Sequence, residues 1–399
     1  MQYKILILSL TYLPYIGGTE IAVKETTNRL GADFCFDMVT ARLNRKLPKF
    51  EKINNINIYR IGFGCKTLDK YIFTFFGFLK ALNLYRKNKY KIIWSIMAAY
   101  SSFAVLFKIF TRAKVVLTLQ EGDPIEYITD LKRFKIFLLI YKLYFKLIDK
   151  VTVISNFLGK WAKDLGIKDD KIIVVPNGVD IKKFSDLKKE KDNKSKIILT
   201  VSRLVEKNGV EYLIRALKLL ITDYGLLITE LLIVGNGKLR NKLENLVRNL
   251  DLADKVKFLG ELSFEETQKY YGIADIFCRS SLSEGFGNVF VEAMAAGVPV
   301  IATPVGGIVD FLQDKKTGWF CEVKNPESIA EKISYILDEK NKVEVEQVIF
   351  NAKKMAQEKY SWDKIAGKMG GIFIKIIKHQ ETIIKKRSIL SFRSRFSSG

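Results

Sequence analysis

Histidine is nearly absent. One residue, His379, serves a chain of 399 and lies near its C-terminal end. Histidine-based acid–base catalysis and histidine metal sites are therefore excluded from the body of the chain. Cysteine is also scarce: Cys35, Cys65, Cys278 and Cys321 are scattered, with no Cys-x-x-Cys pair. Neither a disulfide framework nor a zinc site follows from that spacing, and a reducing cytosol fits it best. Long hydrophobic runs are missing as well. The apolar stretch from Ile5 to Leu10 is too short for a signal-peptide core, and no small-residue cleavage site follows it. The run from residue 134 to 148 is interrupted by Lys135, Lys142 and Lys146, so it is not expected to span a bilayer. Acid is the last deficit: 43 Asp and Glu face 66 Lys and Arg, a formal net charge of +23. Such an excess attracts nucleic acid, anionic lipid or acidic ligands. The joint richness in Lys, Ile and Asn is also what a compositional bias of the genome produces. Hydrophobic residues at 48% and charged residues at 27% are globular proportions, and the length calls for two domains.

The order of elements carries more. KILILSL, from Lys4, reads as a buried strand, followed by a loop with Pro14, Gly17 and Gly18 and a helix from Glu20 to about Leu30. Strand-like runs recur at residues 37–40, 56–61, 92–96, 115–119 and 151–154, with helical stretches between several of them. A second series follows the turn Pro176-Asn177-Gly178 and a polar stretch at 182–196, with strands expected at 197–201, 230–234, 255–259, 276–278 and 300–303. Alternation of this kind predicts α/β units with parallel sheets. The expected division is 1–185 for the N-terminal domain, 186–350 for the C-terminal domain, 351–378 for closing helices and 379–399 for a disordered basic tail.

The densest signal runs from Ser281 to Gly307, SLSEGFGNVFVEAMAAGVPVIATPVGG. Glu284 and Glu292 flank a glycine-containing loop that leads into a helix at about Asn288, which Gly297 and Pro299 stop before the next strand. Free backbone N–H groups at a helix N-terminus suit an anion. Gly285 and Gly287 allow close approach to a phosphate, and Glu292, one turn inside the helix, can accept hydrogen bonds from ribose hydroxyls. Upstream, Arg203 and Lys207 stand just past a strand end, where open α/β sheets bind ligands and where two cations balance a diphosphate. Gly235-Asn236-Gly237 forms another tight strand-end loop, able to pass close to a nucleotide.

Together with GGTE at Gly17, PNGVD at Pro176, FLG at Phe258 and SW at Ser361, these motifs resemble the GT4 group of retaining glycosyltransferases (glycosyl transferases group 1), over nearly the whole chain. The resemblance implies the GT-B fold: two Rossmann-like domains with parallel sheets facing across a cleft, and a last helix crossing back to the first domain. It implies a nucleotide-sugar on the C-terminal domain and a glycan or lipid-linked acceptor mainly on the N-terminal one. Arg203 and Lys207 would hold the diphosphate and Glu292 the ribose. Glu284 would orient the sugar, the backbone of Phe286, Gly287, Asn288 and Val289 would meet the phosphates, and Gly17 and Gly18 would lie near diphosphate and acceptor. The mechanism implied is front-face displacement with retention, in which the leaving diphosphate helps deprotonate the acceptor hydroxyl. Without an Asp-x-Asp motif, no divalent metal is expected, and no cofactor beyond the donor substrate.

Two departures stand out. Where relatives often carry a strand-end histidine, this chain has Gln120-Glu121-Gly122-Asp123. Gln120 can donate to a sugar hydroxyl, and Asp123 or Glu121 can accept the acceptor's proton; the plain alternative is a polar loop with Pro124 opening a helix. The family lysine commonly falls five residues after the arginine, directly before glycine, and here that place is Asn208, with Lys207 one residue earlier. Basic, aromatic-rich stretches at 71–90 and 132–150 suggest peripheral attachment to an anionic inner leaflet and cytoplasmic location, with ordinary packing helices as the alternative. The rival functions are a basic nucleic-acid-binding protein, disfavoured because no reading motif is present and so no nucleic acid is expected as partner, and a GT-B nucleotide-sugar epimerase. A dinucleotide oxidoreductase is weaker still, since no G-x-G-x-x-G follows the first strand.

Overall fold

The computed structural model describes residues 2–97, 101–111, 113–122, 144–185, 187, 196–224 and 228–396. The chain builds one sheet, then another. In the first unit come β1 (Tyr3–Leu8), α1 (Gly18–Arg29), β2 (Phe34–Ala41), β3 (Phe50–Ile53), β4 (Ile56–Ile61) and α2 (Leu68–Asn88). They are followed by β5 (Ile92–Ile96), α3 (Ser101–Phe110), β6 (Lys114–Leu119), β7 (Lys150–Val153), α4 (Asn156–Asp164), β8 (Ile172–Val174) and α5 (Ile181–Ser185). These strands form an eight-stranded sheet in the order β3-β4-β2-β1-β5-β6-β7-β8, parallel apart from β3. The central strands are continuous apolar runs because helices cover both faces; β5 is buried at every residue.

The second unit holds β9 (Lys196–Val201), α6 (Val210–Thr222), β10 (Ile228–Val234), α7 (Arg240–Asn249), β11 (Val256–Gly260) and α8 (Phe264–Ile273). It continues with β12 (Ile276–Arg279), α9 (Asn288–Ala295), β13 (Val300–Ala302), β14 (Trp319–Phe320) and α10 (Pro326–Leu337). Its six-stranded parallel sheet has the order β11-β10-β9-β12-β13-β14. Strand order reverses between β9 and β12, which opens a crevice outside their carboxyl ends. Sheet order therefore brings the loop after Val201 beside the loop after Arg279, although some eighty residues separate them in sequence.

Two helices close the chain, α11 (Lys342–Lys359) and α12 (Trp362–Phe396). The first starts earlier than the expected residue 351, and the break falls at Tyr360-Ser361. The expected disordered tail is corrected: α12 continues through residues 379–396. No Gly or Pro occurs between Ile372 and Ser398, so nothing in that stretch stops a helix already anchored upstream. The anchor is the first domain. Phe373 is fully buried, its ring edge-on to Phe34 at 5.7 Å and to Trp94 at 5.4 Å, and Asp363 accepts from Arg29 Nε at 2.7 Å.

The chain crosses between the units twice, and the crossings touch. Val179 N–H donates to the Tyr360 carbonyl at 2.7 Å, and Trp362 N–H returns a bond to the Val179 carbonyl at 3.3 Å. Val179 and Ser361 form an isolated parallel bridge. The motifs PNGVD and SW are thus the two halves of one hinge. Among the described residues, no helix is long and apolar enough to cross a membrane.

Candidate active site

The crevice at the β9–β12 reversal gathers most of the expected residues. Arg203 follows β9 and its side chain is exposed; among the described residues its guanidinium makes no ion pair. Its backbone carbonyl accepts from Asn208 Nδ2 at 2.6 Å, which pins the loop. Lys207 lies in a single 3-10 turn, Glu206–Asn208, and its ammonium donates to the Gly122 carbonyl of the first domain at 2.6 Å. Lys207, expected at the diphosphate, bridges the cleft in this structure.

Glu284 sits in the loop between β12 and α9, its side chain 12% exposed. One oxygen accepts from Arg279 Nη2 at 2.6 Å and the other from Gly285 N–H at 3.1 Å. The next backbone is pressed against the opposite domain: a side-chain carbon on Gly285 would lie 2.2 Å from the Glu121 carbonyl oxygen. Glycine is required there because the domains meet main chain to main chain. Gly287 caps α9 at φ +86°, and Asn288 opens the helix. Phe286 turns its ring into the core against Phe311 at 5.2 Å, so only its backbone borders the crevice.

Glu292 lies on α9, and its carboxylate accepts from the hydroxyl of buried Tyr271 at 3.0 Å. Burial pushes the carboxyl up to about 7, against the pull of the Tyr271 hydrogen bond. Tyr271 hydroxyl rises well above its ordinary value, through burial first and then through the nearby Glu292 charge. The arrangement holds a carboxyl that ionises near neutrality, ready to take hydroxyl donors.

Gly235 and Gly237, expected to let their loop pass close to a nucleotide, also pack tightly within the protein. A side-chain carbon on Gly235 would sit 2.0 Å from the Ser202 carbonyl oxygen, and one on Gly237 2.4 Å from that of Leu204. Their smallness lets the loop after β10 seat against the loop carrying Arg203.

From the first domain, Asn177 and Gly18 reach the opposite wall, and Gln120 stands behind Asn177. Asn177 Nδ2 lies 3.3 Å from Gln120 Oε1 and 3.1 Å from Asn288 Oδ1, so three amides join the domains. Gly17 caps α1, and a side-chain carbon on Gly18 would come within 3.5 Å of Asn288 Nδ2. Farther along the cleft, Asn156 N–H at the start of α4 donates to Asp310 at 2.6 Å. Asp123 lies outside the described residues, as does most of the basic stretch from 132 to 150.

Three participants are new. Arg279 is signalled only as a lone charge ending the apolar strand IFCR, Asn177 sits inside PNGVD, and Tyr271 is one tyrosine among 17, with no signal of its own.

Two Rossmann-like α/β domains that meet across such a cleft, with a final helix docked back on the first, define the GT-B fold. Known proteins agree. The family described as Glycosyl transferases group 1 matches residues 182–355, and Glycosyltransferase Family 4 matches residues 16–183. An uncharacterized glycosyltransferase of Methanocaldococcus jannaschii is 30% identical over 374 residues, covering 90% of this chain and 95% of that protein. Another from that organism is 35% identical over 218 residues, 55% of this chain and 52% of the relative, so that match spans about half the relative's length. Among solved structures, sucrose-phosphate synthase from Thermosynechococcus elongatus superposes with a TM-score of 0.80 at 22% identity, over 95% of this chain and 100% of that one. Anabaena Alr3699/HepE in complex with UDP and glucose gives 0.74 at 17% identity, over 94% and 100%. The chain belongs to the GT4-type glycosyltransferases, the glycosyl transferases group 1.

Proposed function

We propose that this glycosyltransferase moves a hexose-type sugar from a nucleotide-diphosphate sugar to a hydroxyl of a glycan or lipid-linked acceptor, with retention and without a metal or further cofactor. The observation that carries the reading is Arg203. Its guanidinium stands exposed past the end of β9, with no ion pair among the described residues, at the β9–β12 reversal where the loop carrying Glu284 also begins. A site that holds a diphosphate needs such a cation, and the UDP in the HepE structure supports that donor class.

In this reading Arg203 and the backbone at Asn288 and Val289 hold the diphosphate, Glu292 the ribose, and Glu284 the sugar hydroxyls. The bond from the anomeric carbon to the phosphate oxygen breaks while the acceptor oxygen bonds to the same face. The acceptor's proton passes to the departing phosphate oxygen. Charge growing on that oxygen is what the site must stabilise. Gln120 meets the transferring sugar, Asp123 or Glu121 meets the acceptor, and Gly17 and Gly18 border it.

The exposed surface of the first domain supports a role in cell-surface polysaccharide or glycolipid synthesis at the inner face of the membrane. Leu68, Tyr71, Phe75 and Phe76 on α2 and Ile109 and Phe110 on α3 are half or more exposed on one domain, within a chain of net charge +23. Apolar side chains among cations suit an anionic bilayer.

The test is a panel of nucleotide-sugars with chelator present, following nucleoside diphosphate release with and without added acceptor and the product anomer by NMR. Retained anomeric configuration and acceptor-dependent release are expected. Turnover of the sugar without acceptor, as in an epimerase, overturns the reading.

A further inference from the structure

We infer that Arg279 is the second cation of the diphosphate site, its charge brought in from the end of β12; this rests on the nucleotide-sugar reading above. The loop after β9 carries two cations, but the Lys207 ammonium is turned to the Gly122 carbonyl on the facing domain. Its neighbour Asn208 is buried and makes two bonds, from Nδ2 to the Arg203 carbonyl at 2.6 Å and from Arg279 Nη2 to its own Oδ1 at 2.7 Å. A longer cationic side chain at 208 would end where the Arg279 guanidinium lies. Asn208 thus links the guanidinium through two hydrogen bonds to the Arg203 main chain, at the β9–β12 reversal.

The residue type argues the same way. Ile276, Phe277 and Cys278 of β12 are completely buried, and Arg279 is 8% exposed. Its Nε is buried and, among the described residues, meets no acceptor, while Nη2 is shared between Asn208 and Glu284. A guanidinium held dry with an unpaired donor is costly, and an apolar residue would fill that strand end more cheaply. The Phe290 ring, 5.6 Å from the guanidinium carbon, compensates only weakly. What needs the charge is Glu284. A bare carboxylate beside an incoming diphosphate repels it; with Arg279 at 2.6 Å the pair is neutral, and each carboxylate oxygen keeps a second lone pair for a sugar hydroxyl. The buried Nε leaves the guanidinium short of one acceptor, and a diphosphate bound in the crevice would supply the negative charge that its partners only half provide.

A structural salt bridge and a phosphate-site cation differ in what they discriminate. The experiment measures binding of UDP and GDP, and of uridine and guanosine, to the full chain by calorimetry, for wild type, Arg279→Gln and the double variant Asn208→Lys/Arg279→Leu. Arg279→Gln is expected to weaken the better diphosphate at least about tenfold while its nucleoside changes less than about twofold. The double variant, which returns a cation to the same space from position 208, is expected to recover most of the loss. Equal losses for diphosphate and nucleoside, or no loss, overturn the inference. If Arg279→Gln does not fold, the double variant decides alone, and a folded double variant without diphosphate preference overturns it. Wild type that binds neither diphosphate instead sinks the nucleotide-sugar reading, and this inference with it.

Discussion

The Lys207 ammonium donates to the Gly122 carbonyl at 2.6 Å, tying the loop after β9 to the loop after β6 across the cleft. The two loops belong to different domains, so this bond exists only while the domains are together. Lys207→Ala should therefore act on closure more than on donor affinity. We expect kcat to fall about three- to tenfold with nucleotide affinity changed less than about threefold, as for loss of one charged hydrogen bond. Steady-state kinetics beside calorimetric binding separates the two; a loss confined to nucleotide affinity returns Lys207 to the diphosphate.

Arg203 and Glu284 carry the opposite expectation. Among the described residues the Arg203 guanidinium makes no ion pair, so Arg203→Ala should leave the melting temperature nearly unchanged and lower transfer at least about tenfold. Glu284→Ala should lower transfer by at least as much, about tenfold or more, and also destabilise, because it strands the 9%-exposed Arg279 side chain without its ion pair. Near-normal turnover in either folded variant would remove that residue from the site.

Glu292 gives the site a pH dependence. Its carboxyl ionises at about 7 in the fold against an ordinary 4.5, chiefly through burial. Between those values the folded chain holds a proton that the unfolded chain has released. The Glu292 contribution to stability is thus largest below pH 4.5 and declines as pH rises to about 7. Ribose hydroxyls need the ionised form as acceptor, so nucleoside affinity should move the other way and rise up to about tenfold from pH 6 to pH 8. Calorimetry in buffers of differing ionisation enthalpy should find a proton released on binding at pH 6. Glu292→Gln should flatten both profiles; an unchanged profile in that variant would place the titration elsewhere.

Much of this architecture is legible in the sequence because it rests on continuous apolar strands and glycine-marked turns. The runs at 56–61 and 92–96 coincide with β4 and β5. β3, β8 and β14 have four, three and two residues and lie at sheet edges, so they exist through pairing with one neighbour. β3 depends on a turn in which Asn54 takes φ +50°. The site divides in the same way. Arg203, Glu284 and Glu292 stand in motifs, whereas Arg279 and Tyr271 acquire meaning only from sheet order and helix packing, which bring them to Glu284 and Glu292. The close approach of Gly235 and Gly237 to the backbone of Ser202 and Leu204 is not legible, because it joins two loops that only sheet order brings together.

The exposed aromatic surface permits a direct test. Phe73 on α2 is fully buried in the first domain, whereas Tyr71, Phe75 and Phe76 are 77%, 62% and 51% exposed. Replacing those three by serine removes apolar area from water and should leave folding intact. Flotation with vesicles containing phosphatidylglycerol should fall at least about fivefold, while binding of nucleoside diphosphate stays within about twofold. Equal flotation of variant and wild type would show that membrane attachment, if measured, is owed to charge elsewhere.

The hinge makes the most local prediction. Gly178 stands against Trp362, where a side-chain carbon would come within 2.7 Å of the indole, and Trp362 is itself 4% exposed. The neighbouring Val179 backbone bonds to both Tyr360 and Trp362, so neither strand of the double crossing can shift without the other. Gly178→Val should force the crossings apart and cost about 1–3 kcal/mol by overpacking, measured as a lower melting temperature. Trp362→Phe should relieve part of that clash when combined with Gly178→Val, so the double variant should melt above the single one. Additive losses instead would mean that the valine is resisted by the backbone of the crossing and not by the indole.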